Sequence, residues 1–324
     1  MSEPAEIARA VAVLREGGLV AFPTETVYGL GCDAESPVAL RRLFAVKRRP
    51  VDHPVIVHVA TAAAVDVYAV DVPPVARALV DAFWPGPLTV VLPRSTRIPD
   101  EVTGGRETVG LRVPDEPCAL ALLVAFGGAV AAPSANRFGK VSPTSAADVR
   151  IDLGNDVDLI LDGGPCRVGV ESTIVDCTGS SPTILRLGGV AQAAIEAVVG
   201  ASVELCTAGT TAAPGTLPGH YAPRARVVLV ERRDVGARAA GLLAGGRRVG
   251  LLMSTPAPAD LPGGLTVLES PVGIDDFARG LYARLRDADR AGLEVLLVVA
   301  PPPDGVGAAV VDRLVRAAVG SGPR

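Results

Sequence analysis

Apolar residues recur three and four positions apart over residues 5–17 and stop at Gly17-Gly18, which predicts an opening helix. LVAFPT then reads as a short buried strand. In SPVALRRLFAV, residues 36–46, the helical period returns, with Ser36 placed as cap and Pro37 in the first helical position. PVIVHVA is a strand. Residues 73–83 form a helix that Trp84-Pro85-Gly86-Pro87 breaks before the strand LTVVLP. TVGLRVP is a further strand, 117–126 a helix, and GAVAAPSAN a strand running into a polar loop. SAADVRIDLG predicts a short helix, DLILDGG a strand, and ESTIVDC with TILRLG a hairpin or strand pair. Strands and helices alternate and several strands are joined directly, so the expected fold is α/β with a twisted mixed sheet.

From about 199 to 224 the chain is rich in Gly, Ala, Thr and Pro and loses its period, which reads as a linker. The pattern then restarts with RVVLVE, RRVGLLM, LTVLE and EVLLVVA, separated by helical stretches near 233–244, 273–290 and 305–318. This βαβ order predicts a smaller parallel, Rossmann-like α/β domain. The expected organisation is a first domain over 1–198, a linker over 199–224 and a C-terminal domain over 225–324. No GxGxxG or phosphate loop marks the second domain as a nucleotide site.

Composition narrows the function. A net charge of −4 argues against a protein whose main task is gripping nucleic acid. No apolar run is long enough to cross a bilayer, and the acidic, periodic start is unlike a signal peptide, so a cytoplasmic protein is expected. The five cysteines are odd in number and show no CxxC spacing, which predicts reduced, mostly buried thiols rather than disulfides or a zinc site. All but two of the 31 basic residues are arginine. One of the two lysines, Lys47, stands in the most chemically mixed stretch of the chain, residues 22–58, where a compact ammonium has a use that arginine does not meet.

That stretch carries a Thr-Glu-Thr turn, a Tyr-Gly-Leu-Gly bend, the cluster Lys47-Arg48-Arg49 and a strand bearing His58. The cluster reads either as a solvated basic turn or as a clamp on a polyphosphate. Ser134-Ala135-Asn136 and Ser142-Pro143-Thr144 around Gly139 read either as turn and cap chemistry or as a ring of donors for phosphate. Arg112 and Arg186 lie mid-strand among apolar neighbours, so each needs a carboxylate or phosphate partner if its face is buried.

The blocks Pro23 to Leu30, Lys47 with Arg49-Pro50, Pro54 to His58, Ser134 to Asn136, Ser142 to Thr144, Gly169 to Thr173 and Pro214-Gly215 with His220 to Pro223 occur in an order that resembles the YrdC-like family, in its longer two-domain threonylcarbamoyl-AMP synthase form. The resemblance covers about residues 8–224 by motif and the rest by position and pattern. It implies an enzyme, a nucleotidyltransferase that makes threonylcarbamoyl-AMP and pyrophosphate from L-threonine, bicarbonate and ATP, with Mg²⁺ on the phosphates. Downstream proteins would transfer the threonylcarbamoyl group to tRNA, which this chain would meet at most indirectly. By this resemblance Thr26, His58, Arg112, Ala132 and Ser172 face threonine. Lys47, Arg49, His53, Thr108, Ser134, Asn136, Ser142, Arg186 and Tyr221 face ATP, with Lys47 and Arg49 on the phosphates as the catalytic cations. Tyr221 belongs to a linker that closes over the site, and no protein side chain is assigned to a metal.

Three segments depart from the family pattern. His53 stands where asparagine is usual, Arg137-Phe138-Gly139 follows the Ser-Ala-Asn block, and Leu217-Pro218-Gly219 precedes His220. Two other classes remain in view: a non-catalytic RNA-binding or ribosome-associated protein on the same fold, and a carbamoyl transferase of hydrogenase maturation. The first calls for a broad basic face. The second calls for an acylphosphatase-like region and CxxC fingers, which this sequence lacks.

Overall fold

The computed structural model describes residues 4–206, 214–215, 219–269 and 272–322. It comprises two compact units, Met1–Phe138 with Ser142–Thr216 and Gly139–Val141 with Leu217–Arg324.

The first unit is built on ten strands: β1 (Val20–Phe22), β2 (Gly29–Asp33), β3 (Ile56–His58), β4 (Leu88–Pro93), β5 (Thr108–Arg112), β6 (Val130–Ala131), β7 (Leu159–Ile160), β8 (Thr173–Asp176), β9 (Thr183–Arg186) and β10 (Glu204–Leu205). They lie in the order β10-β9-β8-β4-β5-β3-β6-β2-β1-β7. Parallel pairs, such as β3 with β5, occur beside antiparallel ones, such as β4 with β5, so the sheet is mixed as expected.

Strand alternation sorts the core. Val20, Phe22 and Val130 face one apolar layer with Ile7, Leu14, Leu122 and Leu123 of helices Pro4–Arg15 and Pro117–Phe126. Leu19, Ala21, Ala129 and Ala131 face the other, larger layer with Leu40, Leu43, Leu79 and Val80. Each buried leucine contributes about 2 kcal/mol. Helix Pro37–Lys47 begins as predicted: the Ser36 hydroxyl accepts from the Ala39 N–H and Pro37 opens the first turn.

Two segments differ from expectation. Where a Tyr28-Gly29-Leu30-Gly31 bend was expected, Gly29–Asp33 is β2, paired antiparallel with β1 and β6. Its glycines permit the close fit, since a Cβ at Gly31 would come within 2.7 Å of the Phe22 and Val130 side chains. The expected linker also contains a strand, because Glu204–Leu205 pairs in parallel with Thr183–Ile184. Of the rest of that linker, 207–213 and 216–218 lie outside the described residues.

The second unit holds β11 (Arg226–Leu229), β12 (Val249–Met253), β13 (Thr266–Val267) and β14 (Val295–Val299) in the order β11-β14-β12-β13, every pair parallel. Val249, Leu251, Met253, Val295 and Leu297 pack on Val235 and Ala239 of helix Val235–Ala244. Among the described residues no helix is long and apolar enough to cross a membrane.

Candidate active site

The site is laid out along β3 and β5. Their parallel register sets Ile56 opposite Gly110 and His58 opposite Arg112. With a period of two, Ile56 and His58 share a face with Thr108, Gly110 and Arg112. On β4 the residues of that face are Thr89 and Val91. Thr89 stands opposite Ile174 of β8, and Ile174 opposite Arg186 of β9. Ile56, Ile174 and Leu185 form a small apolar cluster with Val91, separate from the two core layers. They wall a narrow slot whose lining also includes Pro54, Val55, Thr108 and Pro214. The slot lies near Ile56 and Gly110, while His58 and Arg112 lie one repeat further along the same strands, roughly 7 Å away.

The charged end is almost dry. Arg112 is 4% exposed and its Nη2 lies 2.8 Å from Oε1 of Glu25, itself 2% exposed. Arg112 Nε donates to the Gly86 carbonyl at 3.2 Å. Next to Glu25 in sequence, the Thr24 and Thr26 hydroxyls share a hydrogen bond of 2.8 Å, and the Thr24 hydroxyl also donates to the Val27 carbonyl at 2.6 Å. This side-chain turn holds the Thr-Glu-Thr segment in shape. Ser172 is fixed from two sides: its hydroxyl shares a 2.8 Å bond with Thr89 and accepts from Arg186 Nη2 at 3.1 Å. Arg186 Nη1 donates to the Pro214 carbonyl at 2.6 Å. The Ser142 hydroxyl donates to Glu171 Oε1 at 2.7 Å.

The basic cluster is split by the end of its helix. Arg48 is exposed and left-handed, at φ 53°, where it caps helix Pro37–Lys47. Lys47 and Arg49 are buried, at 1% and 7% exposure, so the reading as a solvated turn fits Arg48 alone. Lys47 Nζ donates to the carbonyls of Ser134 and Asn136, thereby tying the Ser-Ala-Asn loop to the helix. Burial, reinforced by Arg49, holds its pKa well below the ordinary lysine value. Arg49 Nη2 donates to the Pro54 carbonyl at 2.7 Å, and its guanidinium lies 5.7 Å from the centre of the Phe138 ring. Phe138 also meets His53 edge-on, with ring centres 5.4 Å apart. Two of the departures from the family pattern therefore touch each other.

Within the first unit the fold gathers Thr26, His58, Arg112, Ala132 and Ser172 near the charged end. Lys47 is bonded to Ser134 and Asn136, Arg49 shares Phe138 with His53, Thr108 lines the slot and Arg186 meets Ser172. Tyr221 belongs to the second unit, where it is 1% exposed, stacks on Tyr282 at 5.7 Å and lies 5.0 Å below the Arg313 guanidinium. Two carboxylates, Glu25 and Glu171, and the hydroxyl of Thr89 were not among the residues expected at the site. The signal available was the conjunction of each acid with neighbouring hydroxyls in Thr-Glu-Thr and Glu-Ser-Thr. Among the described residues no group of three or more acids, histidines or cysteines could cage a metal ion.

His58 is buried and pressed edge-on by Phe22 at 6.0 Å. Burial first, and repulsion from Arg112 second, push its pKa down to about 3. The unfolded chain takes up a proton at this position near pH 6.5, and the folded chain only near 3. The folded state should therefore lose stability as pH falls between those values, by up to about 1.4 kcal/mol per pH unit from this one group. Urea unfolding at pH 6.5 and pH 5 should show His58→Gln with the shallower loss. An equal loss in both proteins would mean that His58 protonates freely in the folded state.

The comparisons point one way. A family model described as telomere recombination, the Sua5–YciO–YrdC model, matches residues 12–188, and one described as threonylcarbamoyl-AMP synthase, C-terminal domain, matches 190–319. The threonylcarbamoyl-AMP synthase of Pyrococcus abyssi is 41% identical over 95% of this chain and 92% of its own length. That of Bacillus subtilis is 40% identical over 97% and 93%. The crystal structure of P. abyssi Sua5 complexed with L-threonine superposes with a TM-score of 0.91 at 40% identity, covering 99% of this chain and 96% of the other.

Proposed function

This chain belongs to the Sua5–YciO–YrdC family in its two-domain form and is an enzyme, and from that premise we propose that it makes threonylcarbamoyl-AMP from L-threonine, bicarbonate and ATP. Water and pyrophosphate are the other products. The observation that carries this reading is the pairing of β3 with β5. One face of two adjacent strands offers an apolar slot at Ile56 and Gly110 and a buried cation at Arg112 one repeat away.

The adenosine would lie over the slot, with Thr108 and Pro214 at its edges. Arg49 and Ser142 would meet the phosphates, joined by the Ser134–Asn136 loop that Lys47 holds. Threonine would lie against Arg112 by its carboxylate, with Thr26, His58, Ser172 and the backbone at Ala132 around the rest. A carbamate oxygen of carboxylated threonine would then attack the α-phosphorus, and pyrophosphate would leave in line. Such a site contributes alignment and charge neutralisation, which need fixed groups rather than mobile ones. The bonding of Lys47, Arg186 and Ser172 to neighbouring backbone or hydroxyls meets that requirement. Mg²⁺ would arrive on the phosphates, because the described residues offer it no cage. Other proteins would carry the threonylcarbamoyl group on to tRNA.

Pyrophosphate should be released from ATP only when L-threonine and bicarbonate are both present. Equal release without threonine would overturn the reading.

A further inference from the structure

Glu25 has an environment that the described residues leave incomplete. The side chain is 2% exposed, yet neither carboxylate oxygen receives a hydrogen bond from any described residue. Arg112 Nη2 approaches Oε1 to 2.8 Å but off the direction of a hydrogen bond, and Nη2 likewise has no acceptor among the described residues. The backbone cannot easily swing away, because the Val168 N–H donates to the Glu25 carbonyl at 2.7 Å and the Thr24–Thr26 hydroxyl pair closes the other side. A buried carboxylate without donors is costly, and attraction to one guanidinium does not supply the donors its lone pairs need. What completes both groups is a ligand that brings N–H donors and an anion together.

An α-amino acid carries an ammonium and a carboxylate on one carbon, the inverse of an adjacent Glu–Arg pair. We propose that Glu25 is the receptor for the α-amino group of L-threonine, with Arg112 taking the α-carboxylate. This rests on the threonine reading given above and adds to it a residue that reads the amine. Glu25 thereby selects amino acids over hydroxy acids.

The test is calorimetric binding of L-threonine and of 3-hydroxybutanoate, the same skeleton without the amine, to the full-length protein. Glu25→Gln should weaken threonine binding roughly tenfold or more while leaving 3-hydroxybutanoate unchanged or tighter. Glu25→Asp, which keeps the charge, should retain more threonine affinity than Glu25→Gln. Equal weakening of both ligands would reduce Glu25 to a prop for Arg112 and overturn the inference, as would undiminished threonine binding by Glu25→Gln. If 3-hydroxybutanoate bound neither protein, the ranking of the Asp and Gln variants on threonine would decide. A wild-type protein that bound no threonine would remove the functional reading itself.

Discussion

Arg112→Leu should abolish pyrophosphate release and lower folding stability by about 3–5 kcal/mol. The two effects have different causes. Stability falls because Glu25, 2% exposed and without a hydrogen-bond donor among the described residues, is left as an uncompensated buried charge. Activity falls because the buried cation opposite His58, proposed to take the threonine carboxylate, is gone. The double variant Arg112→Leu with Glu25→Leu separates them. For a buried pair, desolvation nearly cancels attraction, so removing both partners should restore most of the stability and none of the activity. Urea midpoints and a pyrophosphate assay on the three proteins are sufficient. A single variant as stable as wild type would mean that the Glu25–Arg112 contact contributes nothing to the fold.

Gly188→Ala should cost about 3 kcal/mol or more and displace Ser172. Gly188 follows β9 and lies flush on the segment that leads into β8. A Cβ there would stand 2.3 Å from the Glu171 carbonyl oxygen and the Ser172 carbonyl carbon, and 2.4 Å from the Thr173 nitrogen. All three are backbone atoms, so no side-chain rotation relieves the clash. The contact is reinforced on both sides: the Gly189 N–H donates to the Glu171 carbonyl at 2.9 Å, and the Thr173 hydroxyl to the Val190 carbonyl at 2.6 Å. Moving Glu171–Thr173 outward loosens Ser172 from Thr89 and Arg186, and Glu171 from Ser142. Gly179→Ala is the control, since its nearest neighbour is 3.6 Å away on an exposed turn. Matching melting temperatures for the two variants would show that the strands yield without cost.

How far the chain could be read depended on the range of the interactions involved. Helix Pro37–Lys47 was legible because its determinants lie within a few residues: Ser36 as cap, Pro37 at the first turn and an apolar period. The parallel second sheet was legible for the same reason, since Val249–Met253 and Val295–Val299 are continuous apolar runs, each preceded by a helical stretch. The cations and hydroxyls of the site could be named from their motifs, but not their partners. Lys47 reads as a charge awaiting phosphate, and only the fold turns its ammonium onto the carbonyls of Ser134 and Asn136.

Strand β2 was missed because Gly-Leu-Gly-Cys-Asp has little strand propensity of its own, and its place depends on pairing with β1 and β6. Strand β10 was missed because two residues in an unpatterned segment become a strand only against Thr183–Ile184. Glu25 and Glu171 passed as turn and strand-start residues, because an acid beside hydroxyls looks the same exposed or buried. Local sequence therefore determined which segments coil, extend or cap, since those preferences act between near neighbours. Which acids lose their water and which charges face each other was decided only by the tertiary structure, because burial and long-range pairing belong to segments far apart in the chain.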